Sequence, residues 1–142
     1  MNNIVIRKAI PEDAETIIDI NIKVWNSTYK NIVSQEIIDK IQVKNKERIE
    51  LQKKIIEGAQ NVYVALVNGL IVGYESFGKS YDEKYENSGE IYTAYILDNY
   101  QNLGLGRQMA IACMKELLNK GYITLVTKCL EGNPSNEFHK SL

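Results

Sequence analysis

A glycine-rich segment ending in a basic residue, residues 101–107 (QNLGLGR), precedes a stretch with the spacing of an amphipathic helix. Glycines let backbone N–H groups approach a ligand closely, and the N-terminus of a helix carries a partial positive charge. Together these features bind phosphate without needing a charged side chain, and Arg107 would add a charge-assisted contact. The segment lacks the Gly-Lys-Ser/Thr of a P-loop and the third glycine of the dinucleotide fingerprint. A purely structural turn is the alternative interpretation.

Hydrophobic periodicity predicts the elements that position this segment. Runs rich in β-branched residues predict strands at 3–8, 62–67, 70–77, 90–97 and 122–128. Helical spacing predicts helices at about 11–25, 34–41, 44–57 and 104–119, with a last helical piece from 134 to 142. Asn68-Gly69 between two apolar runs predicts a hairpin, and the strand–helix–strand unit at 90–128 predicts a parallel pair. The order is β-α-α-α-β-β-β-α-β-α, and the sheet should be mixed with helices on its faces.

Length and composition limit the class of protein. A chain of 142 residues with 44% hydrophobic and 25% charged residues indicates one folded domain spanning 1–142. Seventeen Lys+Arg against eighteen Asp+Glu give a net charge of −1, which predicts no nucleic-acid or membrane partner. Two cysteines predict neither a disulfide framework nor a metal site, and no apolar run reaches transmembrane length. We therefore expect a cytoplasmic protein without a signal peptide.

Three segments in order resemble the GNAT superfamily of acetyl-CoA-dependent N-acyltransferases. Residues 90–106 (EIYTAYILDNYQNLGLG) resemble the family's acetyl-CoA motif, residues 133–142 (NPSNEFHKSL) its second motif, and residues 24–30 (VWNSTYK) its helix-one segment. The first match is specific, the second less so, and the third weak. The resemblance implies an α/β (α+β) fold, with a mostly antiparallel sheet whose parallel fourth and fifth strands splay at the centre.

The resemblance also implies which residues hold acetyl-CoA. Backbone N–H groups at the start of the helix, with the Gln101 side chain, would bind the pyrophosphate. These backbone groups belong to Leu103, Gly104, Leu105, Gly106, Arg107 and Gln108. The two glycines would provide clearance. The pantetheine arm would pair with the backbone of Ile96 and Leu97, while Asn133 would hydrogen-bond the arm and Phe138 would pack nearby.

Two further residues are the candidates for acid–base chemistry. A lysine-like amine has an ordinary pKa near 10.4, so neutralising it at pH 7 costs roughly 4–5 kcal/mol, which a general base offsets. Glu90 matches an acid that many family members carry, and we expect it on the same strand face as Ile96, whose N–H would stabilise the oxyanion. His139 stands where the family often has a tyrosine that protonates the thiolate. Alternatively, Glu90 is only a solvated carboxylate and His139 is idle, while Glu75 is a weaker candidate base.

The resemblance implies two more strands beyond Leu142, so the domain is expected to be short at its C-terminus. A shortened chain, a natural short variant and completion by a partner chain are all open explanations. An exposed fifth strand would favour association, and we expect a homodimer joined near it. The function implied is transfer of an acetyl group from acetyl-CoA to a primary amine of a small molecule or peptide. The alternatives are a CoA-binding module without turnover and, less favoured, an interaction domain without a cofactor.

Overall fold

The elements follow the predicted order except at the end of the chain. The computed structural model describes residues 2–59, 61–80, 87–127 and 138–141. The strands are β1 (Ile4–Lys8), β2 (Val62–Val67), β3 (Leu70–Lys79), β4 (Ser88–Ile96), β5 (Thr124–Thr127) and β6 (Phe138–Ser141). The helices are α1 (Ala14–Thr28), α2 (Gln35–Ile41), α3 (Lys46–Ala59) and α4 (Leu105–Asn119), with short 3-10 turns at Pro11–Asp13 and Asp98–Tyr100. Among the described helices, none is both long and apolar enough to cross a membrane.

The described strands form one sheet in the order β1-β2-β3-β4-β5-β6. Strands β4 and β5 are parallel because α4 connects them, whereas the other neighbouring strands are antiparallel. Asn68 and Gly69, with φ angles of 51° and 84°, form the turn between β2 and β3. The predicted hairpin and the mixed sheet with parallel fourth and fifth strands are therefore confirmed.

Helices cover both faces of the sheet. On one face, α1 and α3 pack against β2 and β3 through a cluster that includes Ile17, Ile20, Ile56, Val64 and Tyr74. On the other face, α4 packs through a stripe of residues four apart, each at most 1% exposed: Leu105, Met109, Cys113 and Leu117. Burying a side chain of this size contributes roughly 1.5–3 kcal/mol, so this stripe holds α4 against the strands.

Strand β4 contains a bulge that reverses the side-chain alternation part-way along it. The register between β3 and β4 skips Tyr92, which is an extra residue without a partner on β3. Ile91 and Ile96 are an odd number of residues apart, yet both pack beneath α4. Glu90, next to Ile91, therefore points to the opposite face, which is the face covered by α1 and α3.

The last element is a strand and not the predicted helix. Phe138–Ser141 form β6, which pairs antiparallel with β5, while residues 128–137 lie outside the described part of the chain. The backbone groups on the outer edge of β5 are satisfied by this pairing, which a short helix would not provide. The expectation that β5 is an exposed edge is therefore wrong, and the homodimer stays a prediction without that argument.

Candidate active site

Helix α4 begins at a glycine whose backbone conformation excludes most other residues. Gly104 is the N-cap with a φ of 76°, in the left-handed region, and a Cβ there would meet nothing within 4 Å. Its positive φ therefore gives this glycine a conformational role, while the clearance for the cofactor expected from the sequence stays a prediction. A Cβ at Gly106 would touch Cδ1 of Ile96 at 3.4 Å, so the absence of a side chain keeps the surface beside β4 open.

The first turn of α4 presents a row of backbone donors. The N–H groups of residues 103–107 find no acceptor in the described part of the chain, as expected where a helix begins. Gln108 differs, because its N–H donates to the carbonyl of Gly104 at 3.1 Å. The expectation that the Gln108 N–H binds phosphate is corrected accordingly. Arg107 is exposed and lies within 4 Å of no described carboxylate, so its guanidinium can pair with an anion.

The edge of β4 nearest this turn pairs with no strand that the structure describes. Within the described residues, β5 pairs with Ser88–Ile91 only, so β4 beyond Ile91 has no partner on that side. The side-chain Nε2 of Gln101 donates to the carbonyl of Ile96 at 3.4 Å, which places Gln101 beside this edge. Because backbone groups alternate in direction along a strand, the N–H of Ile96 points to the open side, and so does that of Ala94.

Leu97 does not offer its backbone as the sequence analysis expected. Its N–H donates to the carbonyl of Val72 at 2.9 Å, and its carbonyl accepts from the N–H of Tyr100 at 2.9 Å. Both groups are therefore used within the chain, and Leu97 contributes packing between the helices and the sheet. Ile96 is the residue of this pair whose backbone faces the open edge.

Glu90 lies on the other face of β4 from Ile96, because of the bulge at Tyr92. The expectation of a shared face is wrong, since it assumed unbroken alternation over six residues. The Glu90 carboxylate is partly exposed and accepts a hydrogen bond from Oγ of Ser80 at 3.1 Å. Its register partner on β3 is Gly78, and the Tyr92 side chain covers this glycine, with its hydroxyl 2.6 Å from where a Cβ would stand.

The predicted C-terminal residues are only partly within the description. Asn133 lies outside the described residues. In the backbone register, His139 pairs with Val126, which in turn pairs with Glu90, while Phe138 pairs with Thr127. The Cα atoms of Glu90 and His139 are thus about 10 Å apart, two strand spacings across the sheet.

A cavity of about 620 Å³ opens on the face covered by α1 and α3. Polar side chains from separate elements line it: Asn21, Tyr74, Ser76, Tyr92 and Thr93. Nδ2 of Asn21 donates to the hydroxyl of Tyr74 at 2.6 Å, which fixes both groups in the wall. Sequence reasoning missed these residues because they are distant in the chain. The one available signal was Asn21 itself, a polar residue within the apolar stripe of α1.

Glu75 is buried beneath α4 and is 2% exposed. Its register partner Tyr63 belongs to the cluster around Cys113, which places the carboxyl on the α4 face. Burial raises the pKa of Glu75 to about 8, because a charged carboxylate is disfavoured away from water. Burial likewise raises the pKa of the Cys113 thiol. Without solvent access, Glu75 cannot meet an acceptor amine, so the structure does not support it as the base.

This geometry agrees with comparisons to known proteins. The model of the acetyltransferase (GNAT) family matches residues 25–142. The chain belongs to this family. A relative, the uncharacterized N-acetyltransferase YuaI of Bacillus subtilis (strain 168), is 27% identical over 139 residues, which make up 97% of this chain and 78% of that protein.

Solved structures share the GNAT fold. PaiA N-acetyltransferase from Thermoplasma acidophilum, solved with coenzyme A, gives a TM-score of 0.78 at 22% identity, over 94% of this chain and 83% of that one. YncA, a putative acetyltransferase from Salmonella typhimurium solved with acetyl-CoA, gives a TM-score of 0.70 at 23% identity, over 94% and 73%. The acetyltransferase class, the acetyl-CoA co-substrate and the fold expected from the sequence are confirmed by family membership.

Proposed function

We propose that this GNAT acetyltransferase moves the acetyl group of acetyl-CoA to a primary amine of a small molecule or peptide, by direct attack in a ternary complex. One observation carries the proposal: the N–H groups at the start of α4 lie beside the outer edge of β4, and neither has a partner among the residues that the structure describes. Donors at residues 103–107 suit a diphosphate, with Arg107 adding positive charge. The adjacent edge suits the amide groups of a pantetheine arm, which can pair with it like a strand.

The thioester is proposed to lie along the same edge. The outward N–H groups of Ala94 and Ile96 are the donors available to a carbonyl oxygen that becomes negative during attack. Ala94 is exposed and nearer to Glu90 along β4, which favours it for this role. Asn133 and Phe138 remain predicted contacts of the arm.

Glu90 is the proposed general base. It is about 13 Å from Ala94 along the strand, so the amine proton would reach it through water. The acceptor arrives as an ammonium, and one of its protons passes through water to Glu90. The neutral amine then attacks, so that the C–N bond forms as the C–S bond breaks; the second proton leaves the nitrogen to solvent, and the departing thiolate takes a proton from a separate donor. His139 is the predicted donor to that thiolate. No covalent intermediate on the enzyme is required.

Two measurements test this function. Calorimetry measures CoA binding to the purified chain, and thiol release measures acetyl transfer to a panel of primary amines. We expect CoA to bind, and Gly106→Val to weaken binding at least tenfold, because the new side chain would project over the β4 edge. Gly58→Val is the matched control, since a Cβ on this exposed glycine of α3 meets nothing within 4 Å. Failure of CoA to bind would refute the proposal, and binding without any acetyl transfer would indicate a CoA-binding module.

A further inference from the structure

The cavity on the face of α1 and α3 extends past the end of β2. Strand β2 pairs with β3 only as far as Ser76, while β3 continues through Phe77–Lys79. The space beside that overhang is closed by Gln52 and Ile55 of α3 and by residues that follow α4. Its volume of about 620 Å³ is that of a small-molecule site.

Lys79 and Lys120 bring two positive charges to this cavity. Neither lysine has a carboxylate within 4 Å among the described residues, and no acidic side chain is found in the described lining. Elsewhere lysines do pair with acids, namely Lys8, Lys40, Lys44 and Lys53. Among the residues that the structure describes, the cavity is therefore a local concentration of positive charge without a carboxylate partner.

The Lys120 ammonium is held in a defined position. Its Nζ donates to Oδ1 of Asn61 and lies 6.0 Å from the centroid of the Phe77 ring, within reach of a cation–π interaction. The position at the C-terminal end of α4 also favours a cation, through the helix dipole. An ammonium oriented in this way loses little freedom when it binds an anion.

The cavity adjoins the proposed reaction site. Gly78, the register partner of Glu90, forms part of its wall, and so do Tyr92 and Thr93 of β4. These two β4 residues lie between Glu90 and the outward N–H of Ala94. A molecule in the cavity can therefore present an amine toward the β4 edge while another part of it reaches the lysines.

We propose that the acceptor is an amino-acid-like amine whose carboxylate is bound by Lys79 and Lys120. This inference rests on the proposed acetyl transfer and adds the chemical class of the acceptor. An ammonium group on the acceptor would be repelled by both lysines, so a diamine or polyamine fits this cavity poorly. Hydroxyl and amide groups in the wall can hydrogen-bond the second carboxylate oxygen, and Ile55 and Val62 contact an apolar body.

The test uses conjugates that join CoA to an acceptor through the acetyl carbon, so that binding is measured without turnover. Three pairs differ only in the carboxylate: glycine and methylamine, alanine and ethylamine, methionine and 3-methylthiopropylamine. Calorimetry on the full chain should show the amino-acid conjugate binding roughly 10- to 100-fold tighter in at least one pair, as expected for hydrogen bonds to a charged group. Lys120→Met should reduce that preference about tenfold, and Lys120→Arg should retain most of it.

The matched control is Lys46→Met, which removes an exposed lysine at the start of α3, away from the cavity lining. It should leave the preference for the carboxylate unchanged. Equal affinities within all three pairs, while CoA itself binds, would overturn the carboxylate site and leave the acetyltransferase proposal intact. A preference that persists undiminished in Lys120→Met and in Lys79→Met would equally overturn it. Failure of CoA and of every conjugate to bind would instead refute the proposed function.

Discussion

Replacing Glu75 with glutamine should abolish most of the pH dependence of stability between about pH 5 and pH 8. The side chain is 2% exposed, and no described residue donates a hydrogen bond to its carboxyl or forms an ion pair with it. Burial raises the pKa of Glu75 from 4.5 to about 8. The folded protein therefore keeps a proton on this group at pH values where the unfolded chain has lost it.

The size and sign of the effect follow from these two pKa values. The contribution of the Glu75 carboxyl to the free energy of unfolding is fully present below about pH 4.5. It decreases as the pH rises, until the group ionises in the folded protein as well, near pH 8. The pKa difference corresponds to about 5 kcal/mol in the free energy of unfolding, or about 1.4 kcal/mol for each pH unit. This is a large share of the roughly 5–15 kcal/mol that stabilises a typical domain.

Urea unfolding followed by the fluorescence of Trp25, the single tryptophan, measures the free energy of unfolding at several pH values from 5 to 8. Glutamine has nearly the same shape and stays neutral, so Glu75→Gln should flatten the slope by about 1.4 kcal/mol per pH unit. Glu57→Gln, which changes an exposed carboxylate of α3, should leave the slope as in the parent protein. Parallel slopes for Glu75→Gln and the parent would contradict the buried, unpaired state of this carboxyl.

Four other substitutions have defined outcomes. Glu90→Gln should lower kcat/KM roughly 100-fold at pH 7 and much less at pH 10, where amines are already neutral; a loss independent of pH would exclude Glu90 as the base. Gly104→Ala and Gly121→Ala should each lower the free energy of unfolding, measured in urea, by about 1–2 kcal/mol, because both glycines have a positive φ and a Cβ at either meets no other atom within 4 Å. Only Gly104→Ala should also weaken CoA binding, measured by calorimetry. Asp13→Asn should lower the free energy of unfolding by about 1–3 kcal/mol at pH 7, because the Asp13 carboxylate accepts hydrogen bonds of 2.8 and 3.2 Å from Arg7. Burial opposes but does not cancel the lowering of the Asp13 pKa by Arg7. The difference in stability between Asp13→Asn and the parent, measured by urea unfolding, should therefore shrink as the pH falls below about 4.

Features with a local cause could be predicted from the sequence. The hairpin at Asn68-Gly69 requires two residues that tolerate positive φ, and the four-residue spacing of Leu105, Met109 and Cys113 requires only an amphipathic helix. The turn that presents backbone donors was also predictable, because Gly104 and the start of α4 lie within a few residues of each other.

Predictions failed where a distant partner decides the outcome. Leu97 was expected to have free backbone groups, yet its N–H donates to the carbonyl of Val72 on β3. The error at Gln108 is a local one, because its N–H donates to Gly104 four residues earlier, as helix geometry requires. The face of Glu90 was wrong because a bulge arises from the pairing of two strands and leaves no mark in the β4 sequence alone. Phe138–Ser141 were expected in a helix, and the available edge of β5 makes them a strand.

By itself the sequence determined the order of elements as far as β5, the family and the turn that presents backbone donors, because periodicity and turn chemistry act between neighbouring residues. The tertiary structure alone decided which side of the sheet Glu90 occupies, that Glu75 is deprived of water, and that Lys79 and Lys120 share one cavity. These properties depend on strand register and on helices packing over particular strands. Charge, burial and reactivity at such positions are set by residues that are remote in the chain and adjacent in space.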